Sequence, residues 1–176
     1  ARILVDASFT DFVSARVQTD FAGGGATLLD AWVRMSFDDA FRLSMGQFKR
    51  SFDIFELDSS TDLSIFERDG RIPGVSSCTG VGRVCSYSRL TEALGYAGRD
   101  AGLKIDGTSG TFMYQATLTN GTGVGTPDVN DGKSISARAG VMATEELTLS
   151  ANLGVHDYVG VGAETEQAFA WGADAH

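Results

Sequence analysis

The sequence has no long hydrophobic run. Apolar residues fill 43% of its 176 positions, yet they never occupy the roughly 18 consecutive places that a membrane-crossing helix requires. Proline is scarce, at 2 residues against 22 glycines, so little interrupts extended chain, and clusters such as Gly23-Gly24-Gly25 mark turns. There are two histidines, His156 and His176, and neither lies near the two cysteines in sequence. A four-ligand zinc site therefore has no ligand set. Cys78 and Cys85 lie in a polar segment and can close a small loop, which in an oxidising compartment reads as a disulfide. Positive charge is also in short supply: the formal net charge is -9, which excludes the basic face of a nucleic-acid binder. Initiator Met and signal peptide are both missing. The chain opens on strand-like Ala1-Arg2-Ile3-Leu4-Val5 and closes on Trp171-Gly172-Ala173-Asp174-Ala175-His176, so the expectation is a piece of a longer protein.

What the sequence does have is alternation with a period of two, the mark of strands with two unlike faces. Nine segments carry it. Val13, Ala15, Val17, Thr19 and Phe21 oppose Ser14, Arg16, Gln18 and Asp20. Leu29, Ala31, Val33, Met35 and Phe37 oppose Asp30, Trp32, Arg34 and Ser36. Phe41, Leu43 and Met45 oppose Arg42, Ser44 and Gly46. The pattern recurs over 100–106, 112–119, 134–141 and 147–156, and more weakly over 1–7 and 167–175. These strands run for about 8–11 residues, the length that crosses a bilayer when tilted. Tight turns at Asp38-Asp39, Thr108-Ser109-Gly110 and Thr144-Glu145-Glu146 alternate with long connections at 50–98, 120–132 and 158–166. Up-and-down transmembrane barrels place short turns at one end and long loops at the other. The expected fold is all-β: a partial antiparallel barrel of about nine strands, one domain over 1–176, with 50–98 as a long extracellular or constriction loop. Asp58-Ser59-Ser60-Thr61 is placed to cap a short helix over 62–67 within it.

Several blocks follow one another in an order seen elsewhere. Leu29-Asp30-Ala31-Trp32-Val33-Arg34 leads to Leu43-Ser44-Met45-Gly46-Gln47-Phe48-Lys49-Arg50-Ser51-Phe52, then to Leu57-Asp58-Ser59-Ser60 and Phe66-Glu67-Arg68. Tyr114-Gln115-Ala116-Thr117-Leu118-Thr119-Asn120-Gly121-Thr122-Gly123 comes next, and Phe169-Ala170-Trp171-Gly172-Ala173-Asp174-Ala175 closes the series. Together these resemble the phosphate-selective porin O and P family, over most of the chain except about 74–97. The Gly-Gln-Phe-Lys block is the most specific part. The resemblance implies an integral outer-membrane barrel of roughly sixteen strands. It also implies homotrimers in outer-membrane lipid, no cofactor, and passive passage of anions such as phosphate or polyphosphate. Arg50-Ser51 stands where the family often has proline, and the Cys78–Cys85 insert has no place in the family pattern.

A passive channel needs no catalytic group, and no Ser-His-Asp, Cys-His or paired-carboxylate arrangement is evident. Gly80-Val81-Gly82 and Gly123-Val124-Gly125 lack the full phosphate-loop pattern. Asp128-Val129-Asn130-Asp131-Gly132 has the wrong spacing for a calcium loop. His156 reads as a solvated residue of the lumen. By alternation Arg16, Arg34, Arg42, Lys104 and Arg138 face inward, together with Asp20, Asp30, Asp100, Asp106 and Asp174. The wall is therefore mixed in sign, and anion preference rests on the resemblance. The expected constriction is Arg34, Arg42, Arg50, Arg68 and Arg71, with Lys49 nearby. The competing reading has these arginines pairing with acidic neighbours to hold strands and loop together. At the level of the whole chain, the alternatives are a soluble β-sandwich that binds a ligand or carbohydrate and a barrel enzyme. In a sandwich the apolar faces meet in a dry core; in a porin they form one outward band.

Overall fold

The computed structural model describes residues 1–58, 87–128, 131–159 and 165–176. Nine strands form one sheet: β1 (Arg2–Ser8), β2 (Val13–Asp20), β3 (Thr27–Asp38), β4 (Phe41–Lys49), β5 (Arg99–Ser109), β6 (Phe112–Thr119), β7 (Ser134–Met142), β8 (Thr148–Val159) and β9 (Thr165–Ala175). Each pairs antiparallel with its neighbour in sequence, in the order β1 to β9. The sheet does not close on itself among the described residues. Two-residue turns follow β3 and β5, and the long connections follow β4 and β6 at the opposite end of the sheet. β8 runs to Val159 and β9 starts at Thr165, so the long connection expected over 158–166 is only five residues, the same length as the one after β7.

Register carries the two faces across the sheet. Arg16 lies opposite Trp32, Trp32 opposite Gly46, and Gly46 opposite Gly102. Gln115 then faces Arg138, and Arg138 faces Asn152. A slip of one residue anywhere would exchange the faces. The other face is apolar and open. Val17, Val33, Met45, Leu103, Leu118, Ile135 and Leu153 are all exposed, and Trp171 reaches 76%. Among the described residues, buried hydrophobic side chains are confined to Phe48, Phe52, Tyr96 and Ala97, amid buried Ser, Thr, Asp and Arg. That burial is inverted relative to a soluble protein, and the sandwich expectation gives way: no second sheet covers the apolar face among the described residues. Aromatic rings gather beside the short turns. Phe12 meets Phe37 edge-to-face and Phe37 meets Phe41 at a tilt, at 5.0 and 5.3 Å between successive centroids, and Tyr114 donates from its hydroxyl to the Ala40 carbonyl at 2.8 Å. Such rings suit the boundary between hydrocarbon and headgroups.

The Gly-Gln-Phe-Lys block has a structural reason at each position. Gly46 sits at φ +127°, and a Cβ there would stand 2.2 Å from the Ala31 carbonyl oxygen, so no other residue fits. A bulge in β3 beside Gln18 and Thr19 leaves Leu28, not the expected Leu29, opposite Thr19. Bulges leave ladder groups unpaired, and the Gln47 side-chain amide donates to the Leu28 and Leu29 carbonyls at 2.6 and 2.8 Å. Phe48 is buried on the polar face. Lys49 Nζ donates to the carbonyls of Glu56, Leu57 and Asp58, the last carbonyls of a helical turn, where a cation is favoured.

That turn is α1 (Ile54–Leu57), capped by Asp53, whose carboxylate accepts from the Phe55 amide. The helix expected over 62–67 lies outside the described residues. A second helix, α2 (Tyr87–Ala93), was not expected. Thr91 Oγ1 donates to Asp53 at 2.9 Å, and Ser88 Oγ donates to Glu56 at 3.1 Å, joining α2 to α1. Both ends of the 50–98 connection rest on the polar face of the sheet. Ser51 bonds Thr117 and Gln115 of β6, and Ser136 and Ser134 of β7 donate to the Tyr96 and Gly95 carbonyls. Gly154 of β8 makes room for the rings: a Cβ there would stand 2.7 Å from Tyr96 and 3.2 Å from Phe52.

Candidate functional site

The polar face holds a recess of about 490 Å³ over β1 to β5. Alternation supplies most of its wall, Arg2 and Leu4 from β1, Arg16 from β2, Asp30, Trp32 and Arg34 from β3 and Lys104 from β5, while Lys49 and Arg99 reach it from the paired ends of β4 and β5. Among the described residues that line it, Asp30 is the sole carboxylate against six cationic side chains. Neighbouring acids neutralise part of this charge. Arg2 pairs with Asp20 at 2.9 Å, Arg16 with Asp6 at 2.7 Å and Arg99 with Asp30 at 2.8 Å. Around Asp106 the balance fails. Arg34 and Arg42 both bind its carboxylate, at 3.1 and 2.8 Å. Lys104 stands near all three and has no hydrogen-bond or ion-pair partner among the described residues. Two arginines thus share one carboxylate, with the Lys104 ammonium beside them and unpaired among the described residues.

Trp32 organises the arginines. The Arg16 and Arg34 guanidinium carbons lie 5.4 and 4.9 Å from its ring centroid, within the reach of cation–π attraction. Arg16 spends Nε and Nη2 on Asp6, and Arg34 spends Nε on Ser44 and Nη2 on Asp106. The Nη1 donors of both are without partners among the described residues. Together with Lys104 Nζ they form a set of N–H donors suited to an oxyanion.

The other expected site residues fall elsewhere. Arg42 adjoins the recess through Asp106. Arg50 is 3% exposed and donates to Asp100 at 2.6 Å and to the Gly95 carbonyl. Asp100 also accepts from the Ala101 and Gly121 amides, so this pair fastens the loop ends to β5 and to the connection after β6. Arg138 is 2% exposed and bonds Asp174, which also accepts from Asn152. It ties β7, β8 and β9 together. His156 is half-buried, within hydrogen-bond distance of Ser134 Oγ and edge-on to Tyr96, rather than solvated. Arg68, Arg71, Cys78 and Cys85 lie outside the described residues.

Arg2 and Arg99 escaped the sequence reading. Arg2 sits in the weakest alternating segment, and Arg99 lies at the border of the long connection, where alternation has barely begun. Burial pushes the Asp53 carboxyl above its usual range, partly offset by hydrogen bonds from Thr91 and the Phe55 and Glu56 amides. No group of three or more His, Cys, Asp and Glu is placed to hold a metal among the described residues.

Comparison with known families matches this chain to the model described as phosphate-selective porin O and P over residues 1–173. No curated protein matches it.

Proposed function

The chain belongs to the phosphate-selective porin O and P family, and on that footing we propose that its basic recess lines a water-filled channel for small anions across the bacterial outer membrane. The family is one of channels, not enzymes. The transported species are inorganic anions such as phosphate or polyphosphate, moving passively. The full-length protein sits in outer-membrane lipid as a homotrimer.

One observation carries the anion reading: Arg34 and Arg42 share the single carboxylate of Asp106, and Lys104 beside them makes no ion pair among the described residues. An entering anion exchanges part of its hydration for the Nη1 groups of Arg16 and Arg34 and the Lys104 ammonium. Two unit charges 4 Å apart attract by about 1 kcal/mol in water and about 4 kcal/mol at an effective dielectric near 20. Asp106 keeps the site from holding the anion too tightly, and a channel must release what it binds. Arg50 and Arg138 contribute indirectly, by fixing the loop and the wall.

The test is the reversal potential of the full-length protein in a planar bilayer under a potassium chloride gradient, with and without phosphate. The expected result is an anion-selective current that phosphate reduces. A cation-selective current indifferent to phosphate would overturn the proposal.

A further inference from the structure

The recess is not uniformly polar. Leu4 lies on the polar face, because its β1 position pairs with Gln18 of β2, between Arg2 opposite Asp20 and Asp6 opposite Arg16. It is nevertheless 47% exposed. Trp32 and Leu57 line the same recess. Leu57 arrives from α1, held over the wall by the Lys49 bonds to the α1 carbonyls. An apolar strip of Leu4, Trp32 and Leu57 thus borders the free donors of Arg16, Arg34 and Lys104. A bare inorganic anion gains nothing from such a strip.

We infer that the recess binds organic phosphates, monoesters whose phosphate meets the cations while an apolar, planar substituent lies on the Leu4–Trp32–Leu57 strip. This deepens the anion-channel reading and rests on it. The size fits: pockets of roughly 300–1,000 Å³ take small organic ligands, and the recess measures about 490 Å³. The chemistry fits as well. The guanidinium groups are held against the Trp32 ring, so their N–H donors are fixed in direction. An aryl group beside them removes apolar surface from water on both partners.

The probes are inorganic phosphate and phenyl phosphate, which carry the same dianionic head at pH 8. Each is titrated as a blocker of chloride current through the full-length protein. Phenyl phosphate should block at about tenfold lower concentration, as expected from covering part of a ring. Leu4→Asn and Leu57→Asn should bring the two probes together, read as the ratio of their blocking concentrations falling from about tenfold toward one. Equal block by both probes in the unmodified protein would overturn this inference and leave the anion channel standing. A cation-selective current blocked by neither would overturn the channel reading itself. A phenyl phosphate preference that survives both substitutions would also sink the assignment to this strip.

Discussion

At the scale of the residue, Lys104 distinguishes an anion site from a self-neutralised wall. Each lumen arginine of the recess has a carboxylate, and Lys104 has none among the described residues. Lys104→Gln should weaken phosphate block of chloride current by about fivefold, the equivalent of about 1 kcal/mol for one charge in a water-filled site. A dose–response curve in planar bilayers measures it, and an unchanged curve would move the site away from Asp106. Alternation alone was enough to place Lys104 on the inner face. It could not show that Lys104 stands opposite Ser44, because the 50–98 connection hides which residues of β4 and β5 meet. Pairing was equally hidden: both the pore reading and the structural reading of the arginines were open. Arg16 and Arg34 reach the recess, whereas Arg50 and Arg138 are buried in ion pairs.

At the scale of the element, the loop ends decide what the recess looks like. Arg50→Met should cost about 3–5 kcal/mol, because it strands the Asp100 carboxylate in a buried site. The cost should appear as a lower unfolding temperature and a noisier, larger conductance. A variant with native stability would mean that Asp100 finds another partner.

Asp53 gives the same loop a pH dependence. Its pKa in the folded protein is raised above the ordinary value of 3.8 by burial. The folded state therefore keeps the proton at pH values where the unfolded chain has lost it. The contact between α1 and α2 should be firmest below that window and should weaken as pH rises from about 3.8 through the raised value. Asp53→Asn can still cap α1 and accept from Thr91, and it should flatten this dependence. Amide hydrogen exchange of 87–93 against pH reads it directly; an equal slope in both proteins would remove Asp53 from the account. Neither helix was legible in the sequence. α1 is a single turn, too short for a periodic pattern, and α2 depends on carboxylates more than thirty positions away.

At the scale of the whole molecule, nearly all of the fold was readable. Strand faces are written in a period of two, and the two-residue turns after β3 and β5 lie opposite the long connections after β4 and β6. Two bulges in β3, beside Gln18 and Thr19 and between Ser36 and Asp38, shift register without changing composition, and the long connection expected over 158–166 is only five residues. What composition could not announce is that the buried hydrophobic side chains lie where the loop meets the polar face, not on the strands' apolar face. The two tryptophans of this chain mark the opposite environments: Trp32 beside two guanidinium groups in the recess, and Trp171 at 76% exposure on the apolar face. Quenching of tryptophan fluorescence in the reconstituted full-length protein tests that assignment, with brominated lipid as one quencher and iodide as the other. Trp171→Phe should remove part of the signal quenched by brominated lipid and leave iodide quenching unchanged, while Trp32→Phe should do the reverse. If Trp32 carries the lipid-quenched signal, or if Trp171 is quenched only from water, the faces are assigned wrongly and the channel account fails with them.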